Sequence, residues 1–220
     1  MDIRSTEREG VYTDGPWLLT RNLVPGASVY GESLPREGGV EYRRWDANRS
    51  KLAAYLRSGG RVWGFREAGS VLYLGAGSGT TVSHVSDICR EGSVTAIEIS
   101  ARAFRDLLRL AEMRANVLPI LGDATKPESY RVHMRTVDVL YQDVAQPQQP
   151  QIFLKHLEFL RGGGIGYLIV KARSEDVAAS PSRIYEAAKR DLETAGLTVL
   201  DLRVLAPYQE DHAALVVRKP

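Results

Sequence analysis

The chain has 220 residues, enough to bury one sizeable core with a smaller attachment. It is 44% hydrophobic and 25% charged with a formal net charge of only +2, an ordinary folded composition that says little by itself about partners. No apolar run approaches the roughly 18–20 residues needed to span a bilayer, and the first ten residues hold no apolar signal segment. The single cysteine, Cys89, excludes an internal disulfide and a CxxC site, so a cytoplasmic protein without a membrane partner is expected.

The first fifty or so residues read as short extended pieces broken by turns. Tyr12-Thr13-Asp14-Gly15, Val24-Pro25-Gly26 and Glu37-Gly38-Gly39 are turn signals, with strands predicted over Trp17–Leu19, Ala27–Tyr30 and Val40–Tyr42. That pattern predicts a small β-rich N-terminal domain over residues 1–46 and a second domain over residues 47–220. Between Arg36 and Arg66 stand eight basic residues (Arg36, Arg43, Arg44, Arg49, Lys51, Arg57, Arg61 and Arg66) against three acids, Glu37, Glu41 and Asp46. Such an excess either faces phosphates or is a solvated basic surface.

Around Ala47 the pattern changes. Lys51-Leu52-Ala53-Ala54-Tyr55-Leu56 predicts a short helix closed by Gly59-Gly60. From Ser70 onward, strands are expected over Val71–Leu74, Val94–Ile97, Val117–Leu121, Val137–Gln142 and Ile165–Val170. Helices are expected over Thr80–Cys89, Ala101–Arg114 and Gln149–Leu160. Strands this apolar on both faces belong in a parallel sheet covered by helices. The helix over Ser182–Ala195 is the best marked: Ser180 is its expected cap, and Pro181 fits the first turn, where a missing N–H costs nothing. Ile184, Ala188 and Leu192 share one face and Gly196 supplies a left-handed stop. Val199–Val204 and Ala213–Val217 close the chain as a hairpin-like pair.

The sharpest local signal is Tyr73-Leu74-Gly75-Ala76-Gly77-Ser78-Gly79-Thr80-Thr81, a glycine-rich turn between a buried strand and a helix. Its glycines let the backbone approach a ligand and leave free N–H groups at the helix start. The spacing is G-x-G-x-G, not the dinucleotide G-x-G-x-x-G, and no Lys-Ser/Thr follows as a phosphate loop requires. Glu98 lies 23 positions beyond Gly75, the separation at which an acid meets both hydroxyls of a cofactor ribose; a solvated strand-end carboxylate is the alternative. Asp123, in Gly122-Asp123-Ala124, is placed to accept an N–H from adenine or else to stabilise its own turn. Thr80 or Thr81 and the helix N–H groups suit the methionine carboxylate of S-adenosylmethionine, which carries no phosphate. With seven strands, these features predict an α/β Rossmann-like methyltransferase sheet, mostly parallel with an antiparallel last strand.

The fourth strand ends in Tyr141-Gln142-Asp143-Val144-Ala145-Gln146 and the fifth in Val170-Lys171-Ala172-Arg173-Ser174. With Asp211-His212 before the last strand, they bring an acid, an ammonium and an imidazole near one crevice. At these strings, and at Asn22–Gly26, Val29–Glu32, Tyr42–Trp45 and Arg49–Ala53, the chain closely resembles the fibrillarin family. The resemblance covers nearly the whole sequence. It implies a methyl-transfer centre of Lys51, Asp143, Lys171 and His212. It further implies that Glu98 holds the cofactor ribose, that Asp123 and Ala124 address adenine, and that Asp143 and Gln146 border the methionine end. Gly75, Ala76, Gly77, Gly79, Thr80 and Thr81 complete the expected cofactor set. The family implication is transfer from S-adenosylmethionine to the ribose 2′-hydroxyl of rRNA or tRNA. It places the chain in a box C/D-type ribonucleoprotein with a guide RNA, a kink-turn-binding protein and an elongated scaffold protein. A small-molecule methyltransferase and a non-enzymatic RNA-binding subunit are the alternatives. Two departures stand out: Ala47 where the family commonly has proline, and Gln209-Glu210 in a segment expected to be more basic.

Overall fold

A computed structural model describes residues 2–220. The N-terminal part forms a five-stranded antiparallel sheet from β1 (Ile3–Ser5), β2 (Val11–Asp14), β3 (Trp17–Arg21), β4 (Arg36–Glu37) and β5 (Val40–Trp45), in the order β1-β2-β3-β5-β4. Three of these strands lie outside the sequence expectation, because β1 is short and polar, the supposed turn at Tyr12–Gly15 is mostly strand, and β4 is only the two residues before the Gly38-Gly39 turn. The turn itself is the two-residue link Gly15-Pro16, with Asp14 opposite Trp17. Conversely, Ala27–Tyr30 is not a strand. Side chains take its backbone groups instead: the Glu32 carboxylate accepts the N–H groups of Val29 and Tyr30, and Asn22 donates to the Ala27 carbonyl. With those groups satisfied, nothing drives pairing with a neighbouring strand.

The larger sheet has seven strands: β6 (Ser70–Leu74), β7 (Ser93–Glu98), β8 (Val117–Leu121), β9 (Val137–Gln142), β10 (Leu160–Lys171), β11 (Thr198–Val204) and β12 (His212–Arg218). Their order is β11-β12-β10-β9-β6-β7-β8. The first five are parallel, and β12 runs antiparallel to both β10 and β11, between which it is inserted. The chain therefore reverses order at β6 and β9, which opens a crevice at their carboxyl ends.

Burial on both faces explains why the central strands are uniformly apolar. Val71, Tyr73, Val139, Tyr141, Tyr167 and Ile169 point into one core, shared with α1 (Lys51–Arg57), α2 (Thr80–Ile88) and α3 (Ala101–Met113). Their alternates Leu72, Leu74, Leu140, Leu168 and Val170 point into a second core with α4 (Gln149–Lys155), the single turn α5 (Ala172–Glu175) and α6 (Pro181–Thr194). Each such side chain contributes roughly 1.5–3 kcal/mol on full burial. The first core also takes in Val11, Leu18 and Trp45, so the N-terminal sheet packs on the same face.

Two helix boundaries differ from expectation. The helix expected over Gln149–Leu160 stops at Lys155, where buried His156 bonds the Ile152 carbonyl with Nδ1 and Tyr130 with Nε2. Lys219 then donates to the carbonyls of Leu157 and Leu160, satisfying the chain as it turns into β10. Helix α6 runs from Pro181 to Thr194, one residue earlier at each end than the Ser182–Ala195 expected, and Ser180 caps nothing with its side chain; its hydroxyl lies 3.4 Å from that of Ser182. Gly196 is left-handed, φ +87, as its place after the helix requires. The described part of the chain has no helix long and apolar enough to cross a membrane. Cys89 is fully buried and its thiol is pushed up to about 12 by that burial, which makes it inert as a nucleophile.

Half of the basic stretch is paired within the fold. Arg43 is fully buried between Glu32 and Asp87; Arg36 pairs with Glu41, Lys51 with Asp143 and Arg66 with Asp138. Charges that are scattered in the sequence are paired across strands and helices, and the apparent local excess shrinks accordingly.

Candidate functional site

The carboxyl ends of β6 and β9 meet because glycine permits it. Gly75 has φ +78, and a Cβ there would stand 2.3 Å from the Asp143 carbonyl oxygen. The Asp143 N–H donates to the Leu74 carbonyl (2.9 Å), so any side chain at position 75 would displace the acid with the loop. The N–H groups of Gly75 and Ala76 both reach the Ile97 carbonyl, tying the loop to β7 as well. Glu98 closes the turn: Oε2 accepts from the Gly77 N–H (2.6 Å) and Oε1 from the Ser100 N–H (2.7 Å). Each oxygen retains a lone pair for a ligand hydroxyl.

Opposite that cradle, Asp143 stands between two ammoniums. Lys51 donates to Oδ2 at 2.9 Å, and Lys171 lies 3.1 Å from Oδ1 without an aligned hydrogen bond. Burial raises the Asp143 pKa, but Lys51 and Lys171 outweigh it and hold the carboxyl below its ordinary value. Lys51 begins α1, whose Ser50 cap also accepts the Thr81 hydroxyl at 3.0 Å. The start of α1 and the start of α2 are thereby locked together, each with a side chain at the site.

Lys171 ends β10, directly opposite His212 in the register with β12. Burial, together with Lys51 and Lys171, lowers the His212 pKa, against opposing contributions from the Glu210 carbonyl and Asp143. The ring is therefore neutral near pH 7. Lys171 is also held from behind: its N–H donates to buried Gln149 Oε1 (2.8 Å), and Gln149 Nε2 returns to the Lys171 carbonyl at 3.3 Å. The Gln142 side chain, one residue before Asp143, donates to the Gln149 main-chain carbonyl, so one buried residue, Gln149, ties both strand ends.

Asp143, Lys171, Glu98 and the glycine loop border a cleft of about 450 Å³; Lys51 and His212 are not on its wall and reach it through Asp143 and beside Lys171. Of the residues expected from sequence, Gly75, Ala76, Gly77, Thr80, Thr81, Glu98, Ala124, Asp143, Gln146 and Lys171 line it. Gly79 does not; with φ +93, it caps α2 where a Cβ would meet Leu110 at 2.6 Å, so its role here is packing against α3. Asp123 is partly exposed and not on the wall, although its neighbours Gly122 and Ala124 are. Its Oδ1 accepts the Thr125 N–H and hydroxyl at 2.8 Å each. Burial raises its pKa, but these bonds and the Gln146 amide bring it below the ordinary value. Sequence reading missed Arg49, Ser78 and Ile99 on the wall. Ile99 is 55% exposed although apolar, and its place directly after Glu98 was the available signal. The two departures noted above meet in space: Gln209 Nε2 donates to the carbonyls of Ala47 (3.1 Å) and Asn48 (2.7 Å), fastening the His212 loop to the turn before Lys51.

Set against known proteins, the Fibrillarin family model matches residues 4–220. A fibrillarin-like rRNA/tRNA 2′-O-methyltransferase of Thermococcus onnurineus is 45% identical, with all of both chains covered. The crystal structure of Aeropyrum pernix fibrillarin with natively bound S-adenosyl-L-methionine is 43% identical, with TM-score 0.90, covering 99% of this chain and 98% of that one. Fibrillarin in a fibrillarin/Nop5p complex is 37% identical with TM-score 0.89, covering 98% of this chain and all of that one.

Proposed function

Because the chain belongs to the fibrillarin family, we propose that it methylates the ribose 2′-hydroxyl of rRNA or tRNA, with S-adenosylmethionine as methyl donor. The observation that carries this reading is the Lys51–Asp143–Lys171 cluster opening onto the cleft that Glu98 and the glycine loop frame. The cleft suits that donor chemically. Apolar Ile99 and Ala124 offer surface to adenine, Glu98 offers acceptors to ribose hydroxyls, and the amide-rich Gly77–Thr81 turn suits a carboxylate. When bound, the donor supplies a methyl group already activated on a sulfonium. The protein's part is positioning and charge.

Lys171 is the group we assign to orienting and polarising the 2′-oxygen, since its ammonium borders the cleft with hydrogens free of aligned bonds to Asp143. Asp143 holds Lys51 and Lys171 in place and presents negative charge to the sulfonium. Neutral His212 is available to orient the hydroxyl or to take up its proton. Gly79 and Asp123 stay in the cofactor set as shaping residues, one through helix packing and the other through its turn and Gln146. We read residues 1–46 as an N-terminal domain and 47–220 as the methyltransferase domain, since β5 ends at Trp45 and α1 begins at Lys51.

The same reading extends to a particle. The chain works in a box C/D-type ribonucleoprotein of a cytoplasmic, archaeal-type setting, with an elongated scaffold protein, a guide RNA and a kink-turn-binding protein. Its support is the full-length likeness to a fibrillarin solved with Nop5p. Stepwise reconstitution with labelled S-adenosylmethionine tests the function: label should enter a guided RNA target at a 2′-oxygen only when scaffold and guide are present. Calorimetry should show S-adenosylmethionine binding in preference to NAD and ATP, weakened by Glu98→Ala by roughly 10- to 100-fold through its lost hydroxyl hydrogen bonds. Tight NAD binding, or methylation of small molecules without RNA, would overturn the reading.

A further inference from the structure

Arg49 lines the cofactor cleft and two further hollows that adjoin it. One of these runs across the N-terminal sheet between Tyr30, Arg44 and Trp17. Here two guanidiniums lie over two aromatic rings. The Arg44 Cζ is 4.7 Å from the Trp17 ring centre, and the Arg49 Cζ is 5.2 Å from that of Tyr30. Neither guanidinium joins an ion pair among the described residues, and Arg49 makes one long hydrogen bond, 3.3 Å, to the Tyr30 carbonyl.

The arrangement is held firmly from beneath. The Tyr30 hydroxyl donates to the Arg44 carbonyl (2.9 Å) and meets buried His84 Nε2 at 2.8 Å, so the ring cannot swing away. Trp17 is 47% exposed at the hairpin tip, an unusual place for so large an aromatic. Of the two acids on the hollow, Glu32 is bonded to Arg43 and two backbone N–H groups, while Asp46 accepts from Asn48 twice through Oδ1 and keeps its charge. What the hollow offers is therefore flat cationic and aromatic surface with unused N–H donors.

We infer that this groove is a track for the backbone and unpaired bases of the RNA segment that flanks the guide-paired target, next to the methyl-transfer cleft. Guanidinium planes and aromatic rings stack bases without regard to sequence, and their free N–H groups take phosphates. Continuity supports the assignment, because Arg49 stands two residues before Lys51 and shares the wall with Lys171. Arg49 is the residue common to the cleft and the hollow, so a strand passing from one to the other runs beside it. The inference rests on the RNA-methyltransferase reading and adds where the strand lies.

The test uses the full chain and a labelled single-stranded RNA dodecamer of mixed sequence, then the reconstituted guided particle. Trp17→Ala and Arg44→Gln should each weaken dodecamer binding by roughly 10-fold. Arg44→Gln should also reduce the slope of log affinity against log salt by about 0.7, the loss of one phosphate contact. In the particle, both should raise the KM for target RNA more than they lower kcat, with unchanged S-adenosylhomocysteine affinity and thermal midpoint. Unchanged dodecamer affinity and salt slope in both variants would overturn the groove. So would weakened scaffold binding alongside normal RNA binding, since the surface would then be a protein dock. A wild-type particle that transfers no methyl to RNA defeats the functional reading instead, while dodecamer affinity still tests the groove.

Discussion

Asp87 and Asp143 each sit between two cationic side chains with a histidine close by, yet the two clusters are built to different ends. Asp87 is fully enclosed and its acceptors are filled: Arg43 (2.8 Å) and Thr20 (2.7 Å) on Oδ2, Arg114 (2.6 Å) and the Leu23 N–H (2.9 Å) on Oδ1. Guanidiniums suit that role because their planar donors meet several acceptors at fixed angles, and Arg43 also reaches Glu32 and Ser83. Asp143 has compact ammoniums instead, one oxygen without an aligned donor, and an edge on the cleft. His84 bonds Thr20 and Tyr30 through both ring nitrogens, whereas among the described residues His212 bonds only the Glu210 carbonyl. A saturated ion cluster fixes the N-terminal sheet to α2 and α3; an unsaturated one leaves hydrogen-bonding capacity for chemistry.

The contrast breaks most directly at the acids. Asp87→Asn strands two buried arginines and should cost about 3–5 kcal/mol of folding stability, read by urea denaturation. Asp143→Asn should cost less, about 1–3 kcal/mol, because the Lys51 and Lys171 side chains are 18% and 20% exposed and can turn toward water, while methyl transfer collapses. Equal destabilisation by the two would show that the clusters do the same job. Next in size is Lys171→Met, which should slow single-turnover transfer about 10²- to 10³-fold with RNA and cofactor saturating, or about 3–4 kcal/mol. Lys171→Arg should stay impaired, since a broad guanidinium does not reproduce the ammonium's placement. Near-normal rates in Lys171→Met would move the chemistry elsewhere.

Acid sharpens the difference between the histidines. Burial, then Arg43 and Arg114, holds the His84 pKa well below its ordinary 6.5. The unfolded chain therefore binds a proton below pH 6.5 that the folded chain refuses. That contribution to stability is complete above pH 6.5 and is lost as pH falls, by about 1.4 kcal/mol per pH unit at most. His84→Gln should flatten the slope in urea titrations between pH 6.5 and 5, and a slope identical to wild type would count against it. The smallest effect belongs to the latch between loops. Gln209→Ala removes two hydrogen bonds to the turn before Lys51 and should cost about 1 kcal/mol of stability. Its sharper readout is a reduced transfer rate at unchanged cofactor affinity; an unaltered rate would make Gln209 a bystander.

Local chemistry made the glycine loop, Glu98 and the strand ends at Asp143 and Lys171 legible before any coordinates. A glycine run between an apolar strand and a helix constrains its own backbone, and polar residues ending apolar strands must lie at a sheet edge. The alternation of strands and helices from Ser70 likewise carried the seven-stranded sheet. The N-terminal strands were harder, because β1 and β2 are short and half-polar, and Glu32 supplies the backbone bonds that a strand over Ala27–Tyr30 would have made.

What only the tertiary structure decided is which charges are spent. Arg43 and Arg49 are six positions apart and equally basic on paper, yet one is sealed inside the fold and the other borders the cleft. Gln209 and Ala47 lie 162 positions apart and meet across the site, while Gln149 sets Lys171 from 22 positions away. Sequence periodicity is a local property, set by the repeat of one helix or strand. An ion pair or an amide clamp depends on where distant elements come to rest, and a side chain's availability follows from which partners have already claimed its hydrogen bonds.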